Sequence, residues 1–439
     1  MRFVSTRDPG GETIDLYTAV RRGLAPDGGL YFPDQEPDLR ALIRSFGPDM
    51  SFTDIAGAMI QALFPEYYDA TTARALALQA FGFAPRLVEL EPGIELLELF
   101  HGPSAAFKDF GAGFLAALLA QSRDDSAERV LVLTATSGDT GAAVAQAFAD
   151  TPGVDVAILY PDQRVSPLQE RQLTVTAQNV QAFRVAGSFD DCQRLVKTAF
   201  ADRALSDQFT LSSANSINVG RLLPQSFYYI YAFAQLSERE QDEIVFVVPS
   251  GNYGNLTAGL FAWRWGLPVS SFVAASNAND VVPQYLKTGA YRPQPSVHTL
   301  ANAMDVGDPS NFERMQTMFA GGALGLAGVL DAVVVSDREI TNTIADLWRH
   351  HSVLVCPHTA TGVYAARRQS ADEPGGNAIF VPLATASPAK FPEVVVQASG
   401  QTPPLPQSIG RLDPNLAQSI AVAPELDALR DALTRRFAG

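Results

Sequence analysis

Short, mostly apolar runs alternate with helix-length patterns along most of this chain. "RVLVLTAT" (129–136) is followed by "DTGAAVAQAFAD", and "VDVAILYP" (154–161) by "SPLQERQLTV". A strand that is apolar on both faces is buried on both, which requires a sheet with helices on each side. That restricts the chain to parallel βαβ units. "NVQAFRVAG" and "SFDDCQRLVKTAFAD" extend the series, with Ser166 and Ser188 as helix caps and Pro167 as a first helical residue. "INVGRLLPQSFYYIYAFAQL" reads as one long helix. A second series starts at "EIVFVVPS" (243–250) and continues through "GNYGNLTAGLFAWRW", "PVSSFVAAS", "DAVVVS", "REITNTIADLWRHH", "VLVC", "HTATGVYAARRQ" and "NAIFVPLAT". The two series predict an α/β protein with two parallel-sheet domains flanking a cleft.

Residues 1–85 have a different texture, rich in turns ("DPGGE", "APDGGLYFPDQEPD") and with a helical pattern from Phe52 to Phe64. They predict a mainly helical N-terminal region. The α/β domains are expected over 86–240 and 241–400, and a C-terminal extension over 401–439. "QASGQTPPLPQS" (397–408) reads as a connector and "APELDALRDALTRRF" as a terminal amphipathic helix.

The formal net charge of −15 argues against a nucleic-acid surface and against an anionic membrane, both of which need basic patches. No window reaches the apolar length that spans a bilayer. Cys192 and Cys356 are the only cysteines, which fits a reducing compartment. "MRFVSTRDPGGETID" lacks an apolar signal core. These features predict a soluble cytoplasmic protein acting on a small molecule. No metal-ligand pattern is spelled out, and the oligomeric state is open between monomer and homodimer.

Three glycine-punctuated junctions can form a site, because strand ends and helix starts offer backbone N–H groups to anions. "TATSGDTGAA" brings Thr136, Ser137, Gly138, Asp139, Thr140 and Gly141, a seat the size of a carboxylate. An ordinary capped helix would read the same way. "VPSGNYGNLTAG" brings Gly251, Asn252, Tyr253, Gly254 and Asn255, a better phosphate cradle. Neither carries the dinucleotide fingerprint, so a single phosphomonoester is the expected ligand.

The third junction is "HGPSAAFKDFGAGF" (101–114). It fails as a nucleotide loop. Phe107 stands where glycine should precede the lysine, Asp109 stands where a hydroxyl should hold magnesium, and Pro103 lacks an N–H. What remains is Lys108 between Phe107 and Phe110 at the start of an apolar helix. Such surroundings lower a lysine's proton affinity and make its amine nucleophilic. A snorkelling lysine with a solvated head is the alternative.

Together these features describe one ligand. A reactive lysine meets an aldehyde, a nest holds one phosphate, and a smaller seat holds a substrate carboxylate. Pyridoxal 5'-phosphate has the aldehyde and the phosphate. "PLATASPAKFP" (382–392) offers Thr385 and Ser387 as neutral partners for its ring nitrogen.

"HGPSAAFKDFGAGF", "TATSGDTGAA", "NSINVGRLLPQ" (215–225), "VPSGNYGNLTAG", "HTATG" (358–362) and "ATASPAKFP" occur in one order, after "STRD" and "APDGGLYFP". In this the chain resembles the threonine synthases of the longer bacterial and fungal type. These belong to the tryptophan-synthase-like pyridoxal-phosphate enzymes and convert O-phosphohomoserine and water into threonine and phosphate. The resemblance implies that Lys108 is the Schiff-base lysine. It implies that Gly251, Asn252, Tyr253, Gly254 and Asn255 hold the cofactor phosphate and that Thr385 faces the pyridine nitrogen. Thr136 to Gly141 would cradle the substrate carboxylate. Tyr253 stands where the related enzymes usually have Phe.

Arg221, beside Asn215, Ser216 and Asn218, is the candidate seat for the substrate phosphate, since a guanidinium suits bidentate phosphate binding. A surface arginine is its alternative. His101 and His358 can line the pocket, although a hydrogen-bonded structural role is the preferred reading of both. Two other activities share the lysine and the cradle: a phospho-lyase that makes a keto acid, and a serine or threonine dehydratase. A non-catalytic cofactor-binding regulator is the third alternative.

Overall fold

The computed structural model describes residues 1–122, 129–136, 138–162, 165–175, 177–236, 243–320, 325–372, 377–410 and 418–438. A five-stranded sheet has the spatial order Ser419–Val422, Val180–Val185, Val154–Pro161, Val130–Ala135, Thr210–Ser213, with all neighbours parallel. A six-stranded sheet has the order Leu330–Val334, Ser271–Ser276, Glu243–Pro249, Ala378–Ala384, Ile94–Glu98, Arg86–Glu91. It is parallel except for its last pair. The apolar runs behave as their pattern requires: every residue of Val130–Ala135 and Val154–Pro161 is buried.

Sheet membership departs from the expected order. Arg86–Glu91 and Ile94–Glu98, expected to open the first α/β domain, lie on the second sheet, where Ile94–Glu98 pairs with Ala378–Ala384. Leu90, Ile94 and Leu96 share a core there with Val245 and Val247. The stretch 401–439 is likewise no appendage. Ser419–Val422 adds a strand to the five-stranded sheet, and the helix Leu426–Phe437 buries Leu429 and Leu433 in a core with Cys192 and Leu195.

The expected long helix over 217–236 is two helices, Val219–Leu222 and Gln225–Gln235. Pro224 stands between them and has no N–H to continue the ladder. "VLVC" forms no strand: residues 352–356 are irregular and lead into the helix Pro357–Asp372. A run of four apolar residues cannot be told from a buried connector by pattern alone.

Residues 1–85 hold the helices Leu16–Arg22, Arg40–Arg44, Phe52–Leu63 and Ala70–Ala80, and a two-stranded sheet, Phe3–Ser5 with Tyr31–Pro33. They pack on the back of the helix Lys108–Gln121. Phe52 meets Phe110 with ring centroids 5.3 Å apart, and Phe81 stacks on Phe114 at 6.1 Å. A Cβ at Gly113 would come within 2.4 Å of the Ala80 carbonyl oxygen, so the two backbones touch. Among the described residues no helix is long and apolar enough to cross a membrane.

Candidate active site

Thr136, Ser250 and Thr385 each follow the carboxyl end of a parallel strand, where open α/β sheets hold ligands. Lys108 begins the helix Lys108–Gln121. The loop before it is fastened to the Thr385 turn from the far end of the sequence. The Phe107 N–H donates to the Thr385 carbonyl at 2.8 Å, the Ser387 N–H to the Ala105 carbonyl at 3.0 Å, and Ala106 bridges Ala386. Asp109 closes this loop by accepting the Ser104 N–H at 2.9 Å. Gly102 makes room for it, since a Cβ there would meet Asp109 Oδ2 at 2.4 Å. Burial raises the Asp109 carboxyl to about 6.

The Lys108 ammonium group lies 4.0 Å from Asp139 Oδ2. A second lysine, Lys390, stands 2.9 Å from Asp139 Oδ1, with its side chain fully buried. It also donates to the Ser104 carbonyl at 2.8 Å. Burial lowers the proton affinity of Lys108; Asp139 opposes this, while Lys390 and Arg221 reinforce it. Burial works against the Asp139 carboxylate too, but Lys390 and Lys108 outweigh it and hold that carboxyl well below the usual range. Sequence reasoning missed Lys390. Its signal was present in "ATASPAKFP": a lysine next to Phe391, as Lys108 is next to Phe107.

His358 is buried and feels Asp139 and both lysines, so it belongs to this cluster. Burial pushes its imidazole down to about 4. The Ala303 N–H donates to Nε2 at 3.1 Å, so the neutral ring carries its proton on Nδ1, 3.8 Å from Cys356 Sγ. His101 instead pairs with Glu98 at 2.8 Å.

In the loop after Val130–Ala135, Thr136 Oγ1 accepts the N–H groups of Gly138 at 2.9 Å and Gly141 at 2.8 Å. Two of the expected anion donors are therefore already used. Among the described residues, the N–H groups of Asp139 and Thr140 remain at the start of the helix Asp139–Phe148. Gly138 has φ of 138°, which other residues rarely adopt. Ser137 lies outside the described residues. The seat expected to cradle an anion thus contains a carboxylate of its own, Asp139.

The loop from Gly251 to Asn255 fits the phosphate of pyridoxal phosphate. Tyr253 has φ of 58° and precedes the helix Gly254–Arg264, whose first N–H groups have no partner within the helix. A Cβ at Gly251 would meet Met304 Cα at 2.5 Å. Asn252 Oδ1 accepts the Ser310 N–H at 2.7 Å, while its Nδ2 donates to Ser216 Oγ at 3.2 Å. Asn255 Oδ1 accepts the hydroxyls of Tyr228 and Tyr229, leaving Nδ2 buried and without a partner. A buried donor with no acceptor is what a phosphate oxygen would satisfy. The Tyr253 hydroxyl shares a 2.9 Å hydrogen bond with Ser276 Oγ, so it is absorbed by the core and leaves the cradle's backbone free.

The residues of "NSINVGRLLPQ" separate. Asn215 Nδ2 donates to the Ala135 carbonyl at 3.0 Å. Ser216 Oγ accepts from Asn252 and Asn311, which joins it to the cofactor loop. Asn218 is a helix cap, bonded to the carbonyls of Val20 and Ser213. Arg221 is 2% exposed and lies under the lysine helix, where a Cβ at Gly111 would meet its Nε at 2.9 Å. Its Nη1 donates to the Ala214 carbonyl, and among the described residues its Nε has no partner. Burial lowers it to about 10.

Arg314, which no motif announced, is fully buried in the helix Phe312–Phe319. It donates to the carbonyls of Tyr31 at 3.0 Å, Ser216 at 3.1 Å and Ile217 at 2.5 Å, and to Asn311 Oδ1 at 2.6 Å. One side chain thereby ties the N-terminal region to the Ser216–Ile217 loop and, through Asn311, to Asn252.

Comparison with known proteins agrees with this geometry. Residues 86–385 match the family described as pyridoxal-phosphate dependent enzyme. Residues 2–81 match the threonine synthase N terminus, and residues 359–433 the threonine synthase C-terminal family. A threonine synthase of Haemophilus influenzae is 43% identical over 403 residues, covering 91% of this chain and 92% of that one. The crystal structure of the Escherichia coli threonine synthase superposes with a TM-score of 0.89 at 36% identity, covering 99% of this chain and 100% of that one. The pyridoxal-phosphate-bound threonine synthase of Brucella melitensis gives a TM-score of 0.89 at 33% identity, with full coverage of both chains. These full-length matches show that the chain belongs to the threonine synthase family of pyridoxal-phosphate-dependent lyases.

Proposed function

We propose that this cleft takes O-phosphohomoserine and water and releases threonine and phosphate, with the residue roles that follow. The second phosphate is the distinguishing requirement. The observation that carries it is Arg221, a buried guanidinium with an unpartnered Nε in the same charge cluster as Lys108. A dehydratase acting on serine or threonine would have no use for it.

When bound, pyridoxal phosphate supplies the electron sink that lets protons leave the substrate carbons. Gly251, Asn252, Tyr253, Gly254 and Asn255 would hold its phosphate, Lys108 would hold its aldehyde carbon, and Thr385 would offer its ring nitrogen a neutral hydroxyl. The loop of Thr136, Ser137, Gly138, Asp139 and Thr140 holds the substrate carboxylate, chiefly through the N–H groups of Asp139 and Thr140. Arg221, with Asn215 and Ser216 nearby, receives the substrate phosphate.

The Lys108 amine moves the protons. Its lowered proton affinity leaves it able to accept one. It takes the proton from Cα and then from Cβ as phosphate departs from Cγ; one proton returns to Cγ, water gives its hydroxyl to Cβ and its proton to the departed phosphate, and the last proton returns to Cα. A single base on a long stem can serve all these positions. A cytoplasmic location fits the two unpaired, buried cysteines.

Incubating the purified protein and cofactor with O-phosphohomoserine tests this reading. Threonine and phosphate in equal amounts are expected. Release of 2-ketobutyrate and ammonia as the main products contradicts it.

A further inference from the structure

The geometry points to Lys390 as a positioning residue that sets the proton affinity at Lys108 Nζ by holding Asp139 between the two lysines. Lys390 comes from the turn Pro388–Lys390 and reaches two groups, Asp139 Oδ1 at 2.9 Å and the Ser104 carbonyl at 2.8 Å. Both flank Lys108: Ser104 stands four residues before it, and Asp139 Oδ2 is 4.0 Å from its ammonium group. A buried ammonium is costly unless it is paired, and this pairing uses its charge on the one carboxylate that also faces Lys108.

The arrangement answers a conflict within the site. Asp139 sits at a helix start expected to receive an anionic substrate, so its charge must be compensated. Were Lys108 the sole compensation, it would stay an ammonium and could not act as a base. With Lys390 holding Oδ1, Asp139 is neutralised and Lys108 is released. The other groups that Lys108 meets are Arg221 from the helix Val219–Leu222 and His358 from the helix Pro357–Asp372, with Asp109 on its own helix. Among these, Asp139 is the carboxylate that raises its proton affinity.

The signs follow. Lys390→Met removes a neighbouring positive charge and hands Asp139 to Lys108, and both effects strengthen proton binding at Lys108 Nζ. Asp139→Asn weakens it. Removing both charges together cancels most of the change, and Lys390→Arg keeps the charge.

The inference rests on Lys108 as the cofactor-holding lysine, which the wild-type spectrum and its loss in Lys108→Ala check separately. The test here is the displacement between variants. The visible absorbance of each holoenzyme is titrated against pH, beside the pH profile of kcat/KM. Lys390→Met is expected to move the midpoint up by about one pH unit or more, the usual size for a charge within a few ångströms. Asp139→Asn moves it down, and Lys390→Met/Asp139→Asn returns toward wild type. If Lys390→Met does not fold, the double variant is compared with Asp139→Asn and titrates at the higher pH. A lowered melting temperature with an unmoved midpoint, or equal midpoints in that last comparison, overturns the inference and leaves Lys390 a packing residue.

Discussion

The hydroxyl of Tyr229 donates to Oδ1 of Asn255 at 2.7 Å, and the neighbouring Tyr228 hydroxyl donates to the same oxygen. Two donors on one oxygen decide which way the amide faces, so its N–H₂ group is left as the buried, unpartnered end. Asn255→Ala removes that donor without emptying much volume. A hydrogen bond to a charged group contributes about 1.5–3 kcal/mol, so cofactor affinity is expected to fall roughly tenfold to a hundredfold. Tyr229→Phe, which keeps the donor but loosens its orientation, should cost less. Titrating the cofactor into each stripped protein measures both.

Gly251 offers a steric test of the same cradle. A Cβ there meets Met304 Cα at 2.5 Å and the Ala303 carbonyl at 3.2 Å, both backbone atoms that cannot swing away. Gly251→Ala should therefore displace the loop and abolish cofactor retention. At Gly47 nothing lies within 4 Å, so Gly47→Ala should bind cofactor like the parent.

The mostly apolar strands, their helix caps and the glycine-marked junctions were legible because each follows from local chemistry. Ser166 and Ser188 cap as expected, both in capping boxes. Pairing across the chain was not legible. Nothing local tells Ile94–Glu98 to join Ala378–Ala384 instead of the strands that follow it. Lys108 could be read from its aromatic flanks; Lys390 has a similar flank in Phe391, but its partner Asp139 lies some 250 residues earlier in the sequence, where no local pattern points to it. Arg314 had no signature, because its partners are mostly carbonyl oxygens, which every residue possesses.

Arg314→Met leaves the acceptors at Tyr31, Ser216, Ile217 and Asn311 without their donor. Each buried polar group stripped of its partner costs about 1–3 kcal/mol, so the variant should melt well below the parent. Ser216 loses its backbone support at the same time. In the fraction that folds, KM for O-phosphohomoserine should rise more than kcat falls, which steady-state kinetics resolves.

His358 gives the fold an acid-sensitive element. Its folded value of about 4 lies below the 6.5 of a free imidazole, chiefly through burial. The unfolded chain therefore binds the proton more readily between those values. The His358 contribution is fully present above about pH 6.5 and is lost progressively as the pH falls toward 4. It amounts to on the order of 3 kcal/mol by pH 4, at about 1.4 kcal/mol per unit. Thermal unfolding followed from pH 7 to 4.5 should show a falling midpoint, and His358→Gln should flatten that slope.

The most direct measurement is to map the lysine that carries the cofactor. Borohydride reduction makes the lysine–cofactor linkage permanent, and peptide mass spectrometry then locates it. The site holds a half-buried and a fully buried lysine facing one carboxylate, so the outcome is a choice between neighbours. The modification is expected on Lys108, in the peptide containing "SAAFKDF". Finding it on Lys390, or on no lysine of the cleft, would contradict the account.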